Sequence, residues 1–369
     1  MRRWAAPTPA GPVVAQVSVP GSKSATARAF VLAALADGPS VLSGVLDARD
    51  SRLMRAALTS LGVVMDDLAP SVVRVTPPAA FRAGPVECGL AGTVMRFVPA
   101  VAALAFGRSD FTGDAAASER PVRPLLDALR QAGVRIEGDT LPFTVDGTGG
   151  VRGGRVQLDA SGSSQFVSAL LIAGPRFDEG LTIAHVGPPI PSRPYIGMTV
   201  GMLRDRGVVI DEPDPDTWVV HPGPLAARDE AIEPDLINAA AFLCAGLVTG
   251  GRVEVAWPER TLQAGDAILD ALAAFGAVVE RSPGRVSVSG RVRGADADLR
   301  DVAELTCVLA SVACLADGPS RLRGVGHIRG HETDRLAALA SELSGLGADV
   351  RETPDGLEIV PGRLHGGVF

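Results

Sequence analysis

Ten glycines, in two series, set the architecture of this chain. Alanine-rich, apolar helical runs end at Gly38, Gly107, Gly180, Gly250 and Gly318, each followed by a strand-like run such as LTIAHV or RVEVAW. A second helix then ends at Gly62, Gly133, Gly207, Gly276 and Gly347 and enters another strand: SLGVVM, QAGVRI, DRGVVI, AFGAVV and GLGADV. Glycine is the expected left-handed stop of a helix. The second series has intervals of 71, 74, 69 and 71 residues. A fixed period of that size means repeated units, here five, each with two helices and several short strands. LADGPSVLSGV from Leu35 and LADGPSRLRGV from Leu315, 280 positions apart, carry the same message. Helices apolar on nearly every side belong inside a domain with strands outside, the inverse of a doubly wound sheet.

The rest of the sequence bounds the function. With 369 residues the chain can form two domains with their own cores. A net charge of −7 argues against nucleic acid as a partner, although a local arginine cluster can still be basic. No apolar run approaches the ~20 residues that span a bilayer. MRRWAAPTPAGP has no apolar stretch behind its arginines, so no secretory signal is expected and the location reads as cytoplasmic. Cys88, Cys244, Cys307 and Cys314 show no metal or disulfide spacing and read as buried small hydrophobes in a reducing compartment.

Each repeat opens its buried helix with polar residues: SKSAT at 22, LAGT at 90, SGSSQ at 161, EPDLIN at 233 and VAELT at 302. Such helix starts suit anions, because their backbone N–H groups are free and the helix dipole is positive there. Capping by Ser, Thr and Asp is the simpler account of any one of them. The first contains Lys23, the only lysine beside 34 arginines. Lysine is a compact point charge and arginine a planar fork, so the two are not interchangeable.

On these segments the chain resembles the 5-enolpyruvylshikimate-3-phosphate synthase family, the 3-phosphoshikimate 1-carboxyvinyltransferases. The matching stretches are PGSKSATAR (20–28), LAGTVMRF (90–97), SERPVRPLLDAL (118–129), SGSSQF (161–166), PSRPYIG (191–197) and HETDRLA (331–337), in family order. The resemblance implies a two-domain inside-out α/β barrel of βαβαββ-type units with an interdomain active site. Residues 22–233 would form one domain, and 1–21 plus 234–369 the other. It implies transfer of the enolpyruvyl group of phosphoenolpyruvate to the 5-hydroxyl of shikimate 3-phosphate, on the route to aromatic amino acids, with no cofactor and no metal. Lys23 would stand where the two substrates meet. Ser24 and Arg28 would hold the shikimate portion, and Ser163, Ser164 and Ser192 its phosphate, with Gln165 beside both ligands and Tyr195 nearby. Gly92, Arg120 and Arg335 would face phosphoenolpyruvate. Glu304 would accept the hydroxyl proton and Glu332 serve the methylene carbon. His331 and His327 would stand toward shikimate oxygens, where many members have lysine and asparagine. His327 and His331 could share a helix face as a zinc pair, but a zinc site needs a third ligand.

The family has six repeats, against the five counted here. A sixth unit, carrying a further arginine and lysine for phosphoenolpyruvate, is expected to be missing, leaving the second domain short of a third of its barrel with apolar helix faces exposed. The chain is expected to be a monomer, self-associating if that unit is absent. Two alternatives follow: a homologue that binds shikimate 3-phosphate but is catalytically impaired, and a UDP-N-acetylglucosamine enolpyruvyl transferase. The latter commonly uses a loop cysteine, which GDAAASERP lacks.

Overall fold

In the computed structural model, which describes Ala5 and residues 8–367, the chain divides into two compact units. One comprises the chain up to Val19, Pro234–Arg329 and everything from Asp334 onward; the other comprises Pro20–Glu233 and the short turn Gly330–Thr333.

Every sheet is built alike. In the second unit, β5 (Val86–Glu87), α3 (Gly92–Ala102), β6 (Phe106–Thr112), α4 (Arg123–Gln131), β7 (Arg135–Glu137) and β8 (Phe143–Thr148) form one βαβαββ repeat. The strands order as β5-β6-β8-β7, the first pair parallel and the others antiparallel. The next repeat follows the same plan: β9 (Gly154–Leu158), α5 (Gln165–Ala173), β10 (Leu181–His185), α6 (Pro194–Arg204), β11 (Ile210–Asp214) and β12 (Thr217–Val220). In the other unit, β17 (Asp296–Asp298), α9 (Thr306–Ala313), β18 (Ser320–Arg323), α10 (Arg335–Gly345), β19 (Asp349–Thr353) and β20 (Gly356–Val360) form another.

The remaining two repeats borrow their first strand. α1 (Lys23–Leu35), β2 (Ser40–Ser43), α2 (Arg49–Ser60), β3 (Val64–Ala69) and β4 (Val72–Thr76) are completed by β13 (Glu230–Ala231), which pairs in parallel with β2. α7 (Leu236–Val248), β14 (Arg252–Ala256), α8 (Gly265–Ala274), β15 (Ala277–Ser282) and β16 (Arg285–Gly290) are completed by β1 (Val14–Val17), from near the start of the chain.

The repeated LADGPS motif has one physical role in both places. Asp37 Oδ1 accepts from Ala227 N–H at 2.8 Å and Ser40 Oγ from Arg228 N–H at 3.1 Å. Asp317 Oδ1 accepts from Gly294 N–H at 3.1 Å and Ser320 Oγ from Ala295 N–H at 3.2 Å. The motif thus pins the segment that leads into the first, parallel strand. Gly38 and Gly318 inside it do not take positive φ, contrary to the helix-stop expectation, whereas Gly62, Gly133, Gly207, Gly276 and Gly347 all do.

The core follows the pattern expected of apolar helices. In the second unit all 11 residues of α3, 8 of 9 in α5 and 10 of 13 in α1 are buried, so the three helices form the interior with sheets outside. In the first unit only 7 of 13 residues of α7 and 5 of 8 of α9 are buried. Phe242 on α7 is 44% exposed and Leu315, just past α9, 51%. Cys88, Cys244 and Cys314 are buried, as expected of small hydrophobes; Cys307 departs from that reading and is half-exposed.

Candidate active site

The site is built where the central helices begin. α1 starts at Lys23 and is capped by Ser22, whose Oγ accepts from Ala25 N–H at 3.3 Å. Gly21 before it is obligatory: a Cβ there would lie 1.9 Å from the Gly44 carbonyl oxygen. Lys23 Nζ projects from the first turn, half-exposed, and pairs with Asp50 Oδ2 at 2.6 Å.

One turn further, Arg28 is fully buried and ties the three repeats of the second unit together. Its Nε donates to Thr199 Oγ1 at 2.7 Å and its Nη2 to Ser168 Oγ and the Tyr195 carbonyl, both at 3.2 Å. Nη1 donates to the Ser24 carbonyl at 3.1 Å. The guanidinium lies 5.2 Å from the Phe97 ring and 5.7 Å from that of Tyr195. These partners come from α1, α3, α5 and α6, so the first turns of the three central helices stand side by side.

A second buried arginine was not singled out by the sequence reading. Arg96, on α3, donates through Nη1 to Gln165 Oε1 at 2.9 Å and Ser163 Oγ at 3.2 Å, and through Nη2 to the Pro121 carbonyl at 3.1 Å. Its Nε has no hydrogen-bond partner among the described residues, and its guanidinium lies 5.2 Å from the Phe166 ring. The signal was present: one arginine inside the otherwise uncharged run GTVMRFVPAVA. Asp50, the partner of Lys23, was also missed, and no local pattern marks it.

Gly92 opens α3. A Cβ on it would lie 2.8 Å from Arg120 Nη2, so what the missing side chain admits here is the Arg120 guanidinium. Arg120 is 6% exposed; its Nη1 donates to the Leu90 carbonyl at 2.6 Å, and its Nη2 stands 3.5 Å from Glu332 Oε1.

Ser163, Ser164 and Gln165 lead into α5. Ser163 Oγ accepts from Gln165 N–H at 3.3 Å as well as from Arg96. Ser164 occupies the cap position, is buried, and makes no side-chain cap bond, so plain capping does not account for it. Ser192 precedes α6; it is buried at a left-handed φ of 50°, a conformation that costs a non-glycine residue energy. Tyr195 is the second residue of α6 and donates its N–H to the Ser192 carbonyl.

The other expected residues are divided. Glu304 lies on the short 3-10 turn Ala303–Leu305 that leads into α9, and Arg335 is the first residue of α10, capped by Asp334. Both belong to the first unit, as does His327, while His331 and Glu332 fall in the turn grouped with the second. His327 lies on the 3-10 segment Gly326–Gly330, so the two histidines do not share a helix face. Burial holds the His327 pKa down at about 4. Among the described residues no three His, Cys, Asp or Glu side chains are grouped to hold a metal.

The electrostatics of this cluster are its strongest chemical statement. Burial lowers the Arg28 pKa to about 10 and that of Arg96, with Arg120 adding repulsion, to about 9; Glu332 pulls the other way on Arg96. Both arginines stay protonated at neutral pH, and among the described residues each is hydrogen-bonded only to neutral oxygens. Buried charge is costly unless paired. Two guanidinium groups kept this way beside helix N-termini, in a protein of net charge −7, make these helix starts the candidate place for an anion.

Residues 7–369 match the sequence profile of one family, EPSP synthase (3-phosphoshikimate 1-carboxyvinyltransferase). The chain belongs to the EPSP synthase family. The family's reaction is enolpyruvyl transfer in the shikimate pathway, and neither the impaired-homologue nor the UDP-N-acetylglucosamine reading is favoured. Among solved structures, two of EPSP synthase from Acinetobacter baumannii share the fold at a TM-score of 0.75 and 23% identity. The alignments cover 94% and 95% of this chain and 81% and 83% of those. The enolpyruvyl transferase NikO from Streptomyces tendae is similar at a TM-score of 0.74 and 18% identity, covering 97% of this chain and 84% of that one. The EPSP synthase fold is thus the mixed α/β architecture of inward helices and outward sheets described above.

Proposed function

We propose that this chain joins phosphoenolpyruvate to shikimate 3-phosphate through the residues gathered at the helix starts of its second unit. The observation that carries this reading is the pair of buried arginines held, among the described residues, by neutral acceptors only. Two phosphates and two carboxylates must be bound together, and charge-assisted hydrogen bonds are the strong ones.

Arg96 presents Ser163 and Gln165 toward the shikimate phosphate, with Ser164 and Ser192 beside them. Arg28 and Ser24 hold the shikimate portion, next to Tyr195. Arg120, lying over Gly92, takes phosphoenolpyruvate, and Lys23 stands at the junction. The substrate's 5-hydroxyl oxygen adds to C2 of phosphoenolpyruvate as a proton joins C3, giving a tetrahedral intermediate. Loss of a C3 proton with expulsion of phosphate then restores the enol ether. Glu304 accepts the hydroxyl proton and Glu332 handles the C3 proton; placed acids and bases contribute typically ~10²–10⁴-fold. Glu332 Oε1 stands 3.5 Å from Arg120 Nη2, beside the residue assigned to phosphoenolpyruvate. Arg335 adds to the phosphoenolpyruvate contacts, and His327 and His331 to the shikimate oxygens. The protein is cytoplasmic and works without metal or organic cofactor.

Phosphate release measured with both substrates, together with titration calorimetry using shikimate 3-phosphate and UDP-N-acetylglucosamine separately, tests the reading. Turnover with shikimate 3-phosphate is expected. Binding of the nucleotide sugar alone sinks the proposal.

A further inference from the structure

β9 and β10 run parallel, with His185 opposite Leu158 at their carboxyl ends. Two loops leave from there. One, residues 159–164, carries Ser163 and Ser164; the other, 186–193, carries Ser192. The second loop contains Pro188, Pro189 and Pro191 and runs into Pro194, so much of it has no N–H with which to anchor itself. It nonetheless holds Ser192 at a positive φ. Its two ends are anchored by Val186 N–H on the Leu158 carbonyl and by Arg193 Nη1 on Asp216 Oδ1, both at 3.0 Å, which leaves the proline stretch between them to be held.

The His185 ring lies between the two loops and is 9% exposed. Ala160 N–H donates to Nδ1 at 3.1 Å, and Nε2 lies 2.8 Å from the Pro188 carbonyl. Because a backbone N–H can only donate, Nδ1 accepts, and the neutral ring carries its proton on Nε2, where the carbonyl receives it. One imidazole therefore bonds both loops at once. From Ala160 the chain of bonds continues at once, its carbonyl accepting from Ser163 N–H at 3.0 Å. Asp159 Oδ1 fixes the neighbouring Ser161 N–H at 2.8 Å. At the far end of the proline loop, the Ser192 carbonyl accepts from Tyr195 N–H at 3.1 Å.

We propose that His185 is a positioning residue that sets the spacing of the Ser163–Ser164 and Ser192 loops, and so the grip on the substrate's phosphate, without touching substrate. The proposal rests on the assignment of those serines to the shikimate phosphate. Two variants test it: His185→Phe keeps the ring volume and loses both bonds, and His185→Asn keeps an acceptor near the Nδ1 position. His185→Phe is expected to raise KM for shikimate 3-phosphate at least tenfold, with kcat and KM for phosphoenolpyruvate within twofold of wild type. It should also speed hydrogen exchange at the Ala160 amide in the substrate-free protein. His185→Asn should recover the Ala160 protection and most of the affinity. An unchanged KM for shikimate 3-phosphate in His185→Phe overturns the proposal, and so does an equal loss in kcat and both KM values. Calorimetry on the wild type separates the two layers. A wild-type protein that binds no shikimate 3-phosphate overturns the assignment of the serines and this proposal with it. Wild-type binding with an indifferent His185→Phe removes the proposal alone.

Discussion

Lys23 is the one ammonium in a chain of guanidiniums, and its place on the first turn of α1, with Asp50 at 2.6 Å, makes geometry matter as well as charge. Lys23→Ala should abolish turnover, and Lys23→Arg should fail too, by at least ~10²-fold, because the planar fork moves the charge. Wild-type phosphate release from Lys23→Arg would show that charge alone suffices. Arg28 is the converse case. Its fork reaches Thr199, Ser168 and two carbonyls at once, which an ammonium cannot do. Arg28→Lys should destabilise the second unit by about 2–3 kcal/mol, read from the denaturant midpoint. His327 supplies a pH dependence. Its folded pKa of about 4 lies below the ordinary histidine value of 6.5, so on acidification the unfolded chain takes up the proton first. Stability is then full above pH 6.5 and is lost as pH falls toward 4, by about 2 kcal/mol between pH 7 and 5. His327→Asn should flatten that part of the profile, and an unchanged slope would show that other groups carry it. At this scale the sequence marked the candidate residues at the helix starts, because polar residues there are local signals. It did not show Asp50, whose significance comes only from a contact across two helices.

At the scale of elements, the glycine period was legible because a left-handed helix stop is written in one residue type. The stops nevertheless differ in kind. Gly207 has φ +81° and open space where a Cβ would go, so Gly207→Ala should cost only the backbone term, about 1 kcal/mol. At Gly276 an added Cβ would lie 2.1 Å from the Arg291 carbonyl oxygen, and Gly276→Ala should cost several times more. Comparable thermal unfolding of the two variants would contradict this. The glycines of the LADGPS motif look the same in sequence and are not left-handed, because there the motif's aspartate and serine do the structural task. Composition cannot separate these two uses of glycine; the hydrogen-bond partners, 190 positions away for Asp37, can.

Across the whole molecule the two units treat the same kind of helix differently. α1, α3 and α5 cover one another, while Phe242 on α7 and Leu315 just past α9 are left in water. Such a surface favours association. Light scattering should show concentration-dependent self-association of the 369-residue chain, reduced in Phe242→Glu with Leu315→Glu; a monodisperse monomer at all concentrations would mean that the exposed face is too small to matter. The family resemblance implied two unequal domains and grouped residues 1–21 with 234–369, but the strand pairing itself was not legible, since no local pattern joins Val14 to a partner far along the chain. That borrowing has a consequence in time. Val14 pairs with Arg252, 238 positions later. At roughly 5–20 residues per second of synthesis, β1 leaves the ribosome some 10–50 seconds before β14 exists. During that interval three whole repeats can fold while the opening strand of the chain waits with its edge unpaired, a natural binding site for a chaperone and a natural starting point for misassembly.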